Sequence, residues 1–363
     1  MSRESNGSQR AEPRSAGVAS SRRVPSPWPR DRDFRVLAID GGGIRGLFPA
    51  DVLAALEQRF LAGRSIAEYF DLIVGTSTGG IVALGLAAGL PARELRDLYR
   101  DRGREIFPPS GVGWLGAVRH WLKDRSRLIR YSYDSAALER VLYEVLGDRK
   151  LGDARTRLCI PSFEGEYGEV FVFKTPHHPA FKKDLYAQMV KVALATAAAP
   201  TYFRPHRDGG YTFVDGGIWA NNPIMVGLTE ALTSFDVSRD RIRILSFGCG
   251  NDPYRITAGK IIMGGMWHWR DIIVAAMQLQ SQSALGQAGL LIGPENLLRI
   301  DIPKTVPPIA LDDWRAAVTK LPSAALQAVE RHGSSVAQMF LSEKALQYEP
   351  VYWLPQEDRL AAD

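Results

Sequence analysis

The chain has little cysteine: only Cys159 and Cys249 occur among its 363 residues. Two cysteines cannot build a disulfide framework or a cysteine-rich zinc site, and they are typical of a reducing compartment. With 45% hydrophobic and 23% charged residues, disorder along the whole length is excluded as well. The length is suited to one large α/β domain with additions or to two modest domains.

The chain also lacks an apolar run at its start. Residues 1–33 are rich in Ser, Arg, Pro and Gly, which predicts a disordered tail and no secretory signal. Residues 72–92 are uncharged and long enough to cross a bilayer. Their first half holds Thr76, Ser77, Thr78 and several glycines, however, so a buried strand, a tight turn and a buried helix are the better interpretation. We therefore expect a cytoplasmic protein that contacts the inner membrane only peripherally, when active.

The net charge is +5 and the sequence pI is about 9.2. Part of the excess of positive charge lies in the first thirty-odd residues, so the net charge does not predict a basic face that binds a DNA or RNA polymer. A mild positive balance suits an anionic lipid surface or a small anionic ligand.

The order of predicted elements indicates an α/β fold. Residues 34–40 form an apolar strand, a glycine turn follows, and residues 48–61 repeat apolar positions at helical spacing. The same strand, turn and helix recur over residues 69–88, which predicts a parallel sheet covered on both faces. Further strands are predicted at residues 157–161, 169–174 and 241–248. Residues 251–363 are predicted to be mainly helical.

The first motif with chemical potential is a G-x-S-x-G sequence formed by Gly75, Ser77 and Gly79. It lies between a predicted strand and a predicted helix, where two glycines allow a sharp turn that exposes a serine hydroxyl. The following helix N-terminus adds positive potential. A nucleophilic serine is the interpretation that this context favours. The alternative is a glycine turn with a capping serine.

The second motif is a glycine-rich turn that follows Asp40. A G-x-G-x-x-G turn after a strand can bind a dinucleotide, but the acidic residue expected about twenty positions later, at the end of the second strand, is missing. Clustered glycines can instead aim backbone N–H groups at developing negative charge, as an oxyanion hole does. Arg45 could add a cation there. The turn comprises Gly41, Gly42, Gly43, Arg45 and Gly46.

The third motif is Asp215 followed by Gly216 and Gly217. A carboxylate before two glycines can approach another loop closely, although an ordinary turn aspartate is the alternative.

Together these motifs resemble those of the patatin-like phospholipases. The matching segments lie, in the family's order, within residues 34–250: DGGGIRG at 40–46, GTSTGG at 75–80, ATAAAPTYFRP at 195–205 and DGGIWANNP at 215–223. The resemblance implies a three-layer α/β/α sandwich with a mostly parallel central sheet, to which a helical extension over residues 251–363 would be added. It also implies hydrolysis of phospholipid carboxylic esters without cofactor or metal. By position, Ser77 is the nucleophile, Asp215 is the base, and the amides of Gly42 and Gly43 form the oxyanion hole beside Arg45.

A Ser–Asp pair has to be weighed against a serine triad that uses histidine. The chain order Ser–Asp–His leaves only His268 and His332 as candidates, and neither lies in a recognisable catalytic loop. The remaining histidines are His120, His177, His178 and His206. A histidine-dependent α/β-hydrolase esterase and a non-catalytic lipid-binding protein remain the alternative functions.

Regulation and partners are expected from the resemblance. Short bacterial relatives of this kind look like effectors of cyclic-oligonucleotide-based antiphage signalling, in which a second messenger activates the phospholipase. Such an anionic ligand could bind residues 251–363, where Arg255, Lys260 and Arg270 are available. Residues 107–122 place Trp and Leu beside basic residues, which suits either a lipid interface or a helical lid. A homo-oligomer is a further expectation.

Overall fold

The computed structural model of the chain describes residues 23–108, 132–250 and 272–358. Within these ranges, eight strands form one mixed sheet. The strands are β1 Phe34–Ile39, β2 Leu72–Gly75, β3 Arg157–Glu164, β4 Glu169–Lys174, β5 His206–Asp208, β6 Tyr211–Asp215, β7 Ile242–Phe247 and β8 Leu297–Ile300.

The sheet has a parallel half and an antiparallel half. Strands β3, β2, β1, β7 and β8 lie side by side in that order, and every neighbouring pair among them is parallel. Strands β4 and β6 both pair antiparallel with β3, and β5 pairs antiparallel with β6. The predicted mostly parallel sheet is thereby confirmed.

Helices and short helical turns connect the strands. A 3₁₀ turn at Gly43–Gly46 leads from the glycine loop into the first α-helix. A π-helical turn at Leu98–Arg102 joins the third α-helix to the fourth α-helix. The α-helices are α1 Leu47–Phe60, α2 Thr78–Ala87, α3 Ala92–Asp97, α4 Gly103–Ile106, α5 Ser135–Leu146, α6 Met189–Thr196, α7 Gly217–Ala220, α8 Ile224–Ser234, α9 Ile272–Ile292 and α10 Trp314–Phe340.

The core is divided between the two faces of the sheet. Along β1, Leu37 and Ile39 belong to one buried cluster, whereas Val36 and Ala38 belong to another. This alternation follows from the two-residue period of a strand. Helices α1, α2, α6 and α10 contribute to the first cluster, and α8 and α9 contribute to the second. The predicted three-layer α/β/α sandwich is confirmed.

The region after residue 250 is helical and also contributes to the sheet. Helices α9 and α10 confirm the predicted C-terminal helical region. Between them, β8 pairs in parallel with β7 and forms one edge of the sheet. The sequence prediction missed this strand. Its four residues place Arg299 beside the carboxyl ends of β1 and β7.

The predicted disordered tail at residues 1–33 is wrong for residues 23–33, which pack on the domain; residues 1–22 lie outside the described ranges. Trp28 is 7% exposed, and its ring lies 4.7 Å from that of Phe34 and 5.6 Å from that of Phe235, centroid to centroid. The backbone of Ser26 also bonds to Ser234 and Asp236. Burial of a large aromatic ring overrides the disorder that the composition predicts.

The uncharged stretch at residues 72–92 contains β2 and the buried helix α2. Across the described ranges, the helices are too short or too polar to pass through a membrane. Several predicted features lie outside those ranges: residues 109–122 of the proposed lid or interface segment, and His120, Arg255, Lys260, His268 and Arg270.

Candidate active site

Ser77 lies in a sharp turn between β2 and α2. Its backbone has φ 55° and ψ −125°, in the left-handed region that L-residues rarely adopt. Such a conformation typically costs about 1–3 kcal/mol and persists where the surrounding structure enforces it. A Cβ at Gly79 would lie 2.2 Å from the Ile39 oxygen, and one at Gly75 would lie 2.1 Å from the Gly79 oxygen. The two glycines therefore allow the close backbone approach that exposes the serine.

Two threonines hold this turn in place. The Ser77 amide donates to Thr196 Oγ1 at 2.9 Å, and Thr196 Oγ1 donates to the Pro161 carbonyl at 2.5 Å. Thr76 Oγ1 donates to the Ala220 carbonyl at 2.6 Å. Sequence analysis gave Thr196 no role, although it lies in one of the matching segments. Its hydroxyl links the serine turn to β3.

The sheet topology brings Asp215 to the serine. Strand β4 occupies one edge of β3 from Cys159 to Glu164, and β2 occupies the other edge only as far as Cys159. Strand β6 takes over that second edge, with Asp215 opposite Ser162. The end of β6 therefore lies just beyond the end of β2, where the serine turn begins.

The hydroxyl and the carboxyl group are in direct contact. Ser77 Oγ donates to Asp215 Oδ2 at 2.7 Å, and the Gly217 amide donates to Asp215 Oδ1 at 2.7 Å. A Cβ at Gly216 would lie 2.3 Å from the Pro161 carbonyl, so this backbone also needs glycine. The pair predicted from sequence is brought together here. Each carboxylate oxygen has one fixed partner.

The environment of Asp215 favours its protonated form. Burial raises the pKa of Asp215 to about 6, although the bonds from Ser77 and Gly217 oppose the shift. In the described part of the chain, no cation contributes to this shift. A carboxyl group with a raised pKa is a stronger base once it is ionised.

The glycine loop borders the serine from the side of β1. Gly41 donates its amide to the Asn221 carbonyl at 3.0 Å, and a Cβ there would lie 3.2 Å from Ser77 Cβ. Gly43 has φ +56°, and a Cβ on it would lie 2.3 Å from the Leu311 carbonyl oxygen. The amides of Gly42 and Gly43 donate to no group in the described ranges. They are available to a ligand.

Arg45 lines the same cavity, but its guanidinium group supports the loop. Arg45 Nε donates to the Gly42 carbonyl at 3.3 Å, and Arg45 Nη1 donates to the Gly250 carbonyl at 3.3 Å. Thr78 Oγ1 donates to the Gly43 carbonyl at 2.6 Å, and Thr78 Cγ2 fills the space that a side chain at Gly46 would need. The carbonyls of Gly42 and Gly43 are therefore both held, while the amides of these two residues have no acceptor among the described residues.

A cavity of about 980 Å³, including its open mouth, leads to Ser77 and Asp215. The glycine loop and Arg45 line part of it, and most of the remaining lining surface is apolar. An apolar wall beside a few converging polar groups is typical of a site for an amphiphilic ligand. The apolar wall includes Ile81, Leu98, Ile106, Phe107, Leu138 and Phe203.

The histidines that the structure describes make no hydrogen bond to Ser77 or Asp215. His177 bonds to Thr175 and Glu230, and His178 bonds to the Val24 carbonyl and the Ala180 amide. Neither His206 nor His332 lines the cavity that holds the pair. Since both oxygens of Asp215 already have partners, the described geometry is that of a pair without a bridging imidazole.

One cluster in the described ranges has metal-ligand chemistry. Cys159, His177 and Glu230 are buried with their ligand atoms within 4.8 Å of one another. Lys174 and Arg23 both form ion pairs with Glu230. Two cations at the carboxylate disfavour a divalent ion, so the cluster is better explained as a buried ion-pair network.

The fold and the site together define the class of the protein: a lipid ester hydrolase with a hydroxyl and a carboxyl group at the carboxyl ends of strands β2 and β6. Residues 37–228 match the family model described as patatin-like phospholipase. The chain belongs to the patatin-like phospholipase family.

Two bacterial relatives support this membership. A "cGAMP-activated phospholipase" of Pseudomonas aeruginosa is 36% identical over 324 residues, which cover 86% of this chain and 91% of that protein. A protein of the same name from Vibrio cholerae is 37% identical, over 68% of this chain and 74% of its own length. "Patatin-like protein 2" of Arabidopsis thaliana is 33% identical over 64% of each. Among solved structures, VipD from Legionella pneumophila aligns with a TM-score of 0.40 at 13% identity, over 83% of this chain and 67% of VipD.

Proposed function

We propose that Ser77 attacks the carbonyl carbon of a carboxylic ester in a membrane phospholipid while Asp215 accepts the hydroxyl proton. The observation that carries this proposal is the 2.7 Å hydrogen bond from Ser77 Oγ to Asp215 Oδ2 beside the free amides of Gly42 and Gly43. The serine oxygen forms the new bond, and the ester's C–O bond to the alcohol breaks. Water then hydrolyses the acyl-enzyme and releases a fatty acid.

The proton pathway follows from the surroundings of Asp215. With its pKa raised to about 6, the carboxyl group is still mostly ionised at neutral pH, and it is more basic than an exposed aspartate. After the attack, Asp215 carries the proton and donates it to the departing alcohol oxygen. The amide of Gly217 holds the other oxygen throughout, which fixes the orientation of the carboxyl group.

Negative charge develops on the carbonyl oxygen during the attack. Amides that have no other acceptor and point into a low-dielectric cavity stabilise this charge, and one such donor in a serine protease is worth about 3 kcal/mol. We assign this role to Gly42 and Gly43. Arg45 assists by holding the Gly42 carbonyl.

We extend the proposal to regulation because the bacterial relatives are named for activation by cGAMP. A cyclic oligonucleotide would activate this chain, which would act in antiphage defence, in the cytoplasm and at the inner membrane surface. The ligand would bind residues 251–363, as their basic side chains suggest. A homo-oligomer remains a prediction.

Fatty-acid release from unilamellar vesicles of phosphatidylethanolamine and phosphatidylglycerol tests the reaction. The full chain is assayed by mass spectrometry with and without cGAMP, together with Ser77→Ala. Ser323→Ala makes the same change on the exposed surface of α10 and is the matched control. We expect release by the wild type and by Ser323→Ala, and none above background by Ser77→Ala.

Three outcomes would contradict parts of the proposal. Release by Ser77→Ala at the wild-type rate would remove Ser77 from the mechanism. Vesicle binding without release by the wild type, under every condition, would favour the lipid-binding alternative. Equal release with and without cGAMP would contradict activation by that ligand and leave the hydrolase assignment intact.

A further inference from the structure

We infer that Arg299, on the edge strand β8, is a positioning residue for the oxyanion loop and acts through Asp40. The inference rests on the proposed function, because it concerns the same glycine loop. Arg299 lies far from that loop in sequence and outside the segments that resemble the family. Its guanidinium group nevertheless reaches the residue that begins the loop.

The contact between the two side chains is bidentate. Arg299 Nη1 donates to Asp40 Oδ1 at 2.9 Å, and Arg299 Nη2 donates to Asp40 Oδ2 at 2.7 Å. The same guanidinium donates to Ser246 Oγ at 2.8 Å and to Asp301 Oδ2 at 3.0 Å. Three neighbouring parallel strands, β1, β7 and β8, are thus tied together at their carboxyl ends. Because the guanidinium group is planar and makes two parallel hydrogen bonds, it fixes the orientation of the Asp40 carboxylate as well as its distance.

Asp40 directly precedes three glycines, Gly41 to Gly43, that line the cavity. Its own amide donates to the Phe247 carbonyl at 3.0 Å, so both its backbone and its side chain are held by the β7–β8 side of the sheet. The next fixed points are the Gly41 amide on the Asn221 carbonyl and the Ile44 amide on the Leu311 carbonyl. Gly42 and Gly43 lie between these fixed points. The positions of their amides are therefore set by the bonds that the neighbouring residues and the loop's carbonyls make.

A second route leads from Arg299 to the same loop. Asp301 Oδ1 accepts the Gly250 amide at 2.7 Å, and the Gly250 carbonyl accepts Arg45 Nη1 at 3.3 Å. Arg45 Nε then donates to the Gly42 carbonyl at 3.3 Å. Arg299 therefore acts on the start of the loop through Asp40 and on its middle through Asp301 and Arg45. The first route ends at the residue that precedes Gly41. The second ends at the carbonyl of Gly42, in the peptide unit that carries the Gly43 amide.

A purely structural role would not require this arrangement. A buried ion pair is weak evidence for stability, because desolvation offsets much of the attraction and apolar residues often replace such a pair without loss. A bidentate arginine–carboxylate contact is useful where atoms must stay within a fraction of an ångström of one position. Oxyanion donors have that requirement, since a misplacement of about 1 Å can cost a hundredfold in rate.

The test separates stabilisation of the transition state from stability of the fold. Arg299→Met and Arg299→Lys are assayed on a soluble p-nitrophenyl ester, and binding of two inhibitors is measured. An alkyl trifluoromethyl ketone forms a tetrahedral adduct with an oxyanion, whereas a fatty acid does not. We expect kcat to fall about 10- to 100-fold with KM changed less than about twofold. Affinity for the ketone should fall in parallel, and affinity for the fatty acid should stay constant.

Arg35 provides the matched control. It is also a buried arginine in a parallel strand of this sheet, but it lies at the amino end of β1 and donates to the Phe340 and Glu343 carbonyls. Arg35→Met and Arg35→Lys should lower the melting temperature and leave the ratio of ketone to fatty-acid affinity unchanged. Asp40→Asn combined with Arg299→Met should be no worse than the more damaging single variant, because both act on one unit.

The results distinguish failure of the positioning role of Arg299 from failure of the proposed function. If Ser77→Ala abolishes hydrolysis but Arg299→Met lowers only the melting temperature, the positioning role is overturned and the hydrolase remains. If Arg299→Met does not fold, Asp301→Asn breaks the second route alone. Wild-type affinity for the ketone in that variant and in Arg299→Lys would also overturn the inference.

Discussion

Two buried carboxyl groups of this chain differ sharply in their surroundings. Asp215 and Glu230 are each 3% exposed, and they lie fifteen residues apart in sequence. Asp215, at the end of β6, accepts a hydroxyl and an amide hydrogen and no other bond from the described residues, and burial raises its pKa to about 6. Glu230, on α8, contacts two cations, Lys174 and Arg23, as well as His177. These partners outweigh burial and hold the pKa of Glu230 well below its usual range.

The comparison shows that burial alone does not determine what a carboxyl group can do. Desolvation raises both pKa values, and the partners decide the net direction. A carboxylate neutralised by cations stabilises the fold but has little tendency to accept a proton. One that meets only neutral donors keeps its basicity, at a cost in stability. This difference makes Asp215 the candidate base and Glu230 a structural anchor for strand β4 and the N-terminal segment.

The largest contrast should appear in activity. Asp215→Asn keeps the shape and the acceptor for the Gly217 amide but cannot take the serine proton, so we expect a loss of at least about 1,000-fold in kcat. Glu230→Gln should stay within about threefold of wild type per folded molecule, because its contacts do not reach the cavity. Both rates are measured on a soluble ester and normalised to the folded fraction from circular dichroism.

Two results would break this contrast. Near wild-type turnover by Asp215→Asn would mean that another group accepts the proton. A large loss of turnover by fully folded Glu230→Gln would mean that the ion-pair network supports the site as well.

Stability should change in opposite directions in the same two variants. Glu230→Gln leaves two half-buried cations, Lys174 and Arg23, without the carboxylate that they pair with, so we expect the free energy of unfolding to fall by about 3 kcal/mol at pH 7.5. Asp215→Asn removes a charge that burial disfavours, and it should raise the free energy of unfolding by about 1–3 kcal/mol. Urea denaturation followed by fluorescence provides both values.

The pH dependence gives the sign of each effect. Since the folded state raises the pKa of Asp215 from 3.8 to about 6, its ionisation costs stability increasingly as the pH rises through that interval. The gain from Asp215→Asn should therefore vanish below about pH 4. The opposite holds for Glu230, whose stabilising contribution is present above its unfolded pKa and is lost on acidification. Parallel pH trends in the two variants would contradict the comparison.

The pH profile of the rate is the next, smaller effect. Protonated Asp215 cannot accept the serine proton, so kcat/KM should fall about tenfold per pH unit below about 6 and level off above it. Burial also raises the pKa of Asp40 to about 6, against the effect of Arg299, so Asp40 titrates in the same range. The profile of Asp40→Asn separates the two groups. An unchanged midpoint in that variant would assign it to Asp215, and loss of the midpoint would assign it to Asp40.

Local motifs explain why much of the fold could be predicted from sequence. Strand, glycine turn and helix follow one another around Gly41–Gly46 and Gly75–Gly80, so their order alone indicated a parallel sheet. The glycines also marked positions where backbone atoms approach within about 2 Å of a missing Cβ. The meeting of Ser77 with Asp215 was different. It depends on β6 replacing β2 along β3, and only the resemblance to a family pointed to it.

Two of the features that the sequence prediction missed depend on long-range contacts. Strand β8 has four residues, too few for a periodic pattern, and Arg299 is a lone cation within it. Trp28 lies in a segment whose composition predicts disorder, yet it packs on Phe235, which is about two hundred residues away. No local pattern carries such information, because the partners come together only when the sheet forms.

The smallest expected effect concerns the histidine alternative. A triad would require an imidazole between Ser77 and Asp215, but the two side chains bond directly at 2.7 Å and the described histidines lie elsewhere. His332→Ala and His268→Ala should therefore keep kcat within about twofold of wild type, whereas loss of a general base costs about 100- to 10,000-fold. His268 is the informative variant, since it lies outside the described ranges. A hundredfold loss in folded His268→Ala would replace the Ser–Asp pair by a triad, and an unchanged rate would leave Asp215 as the base.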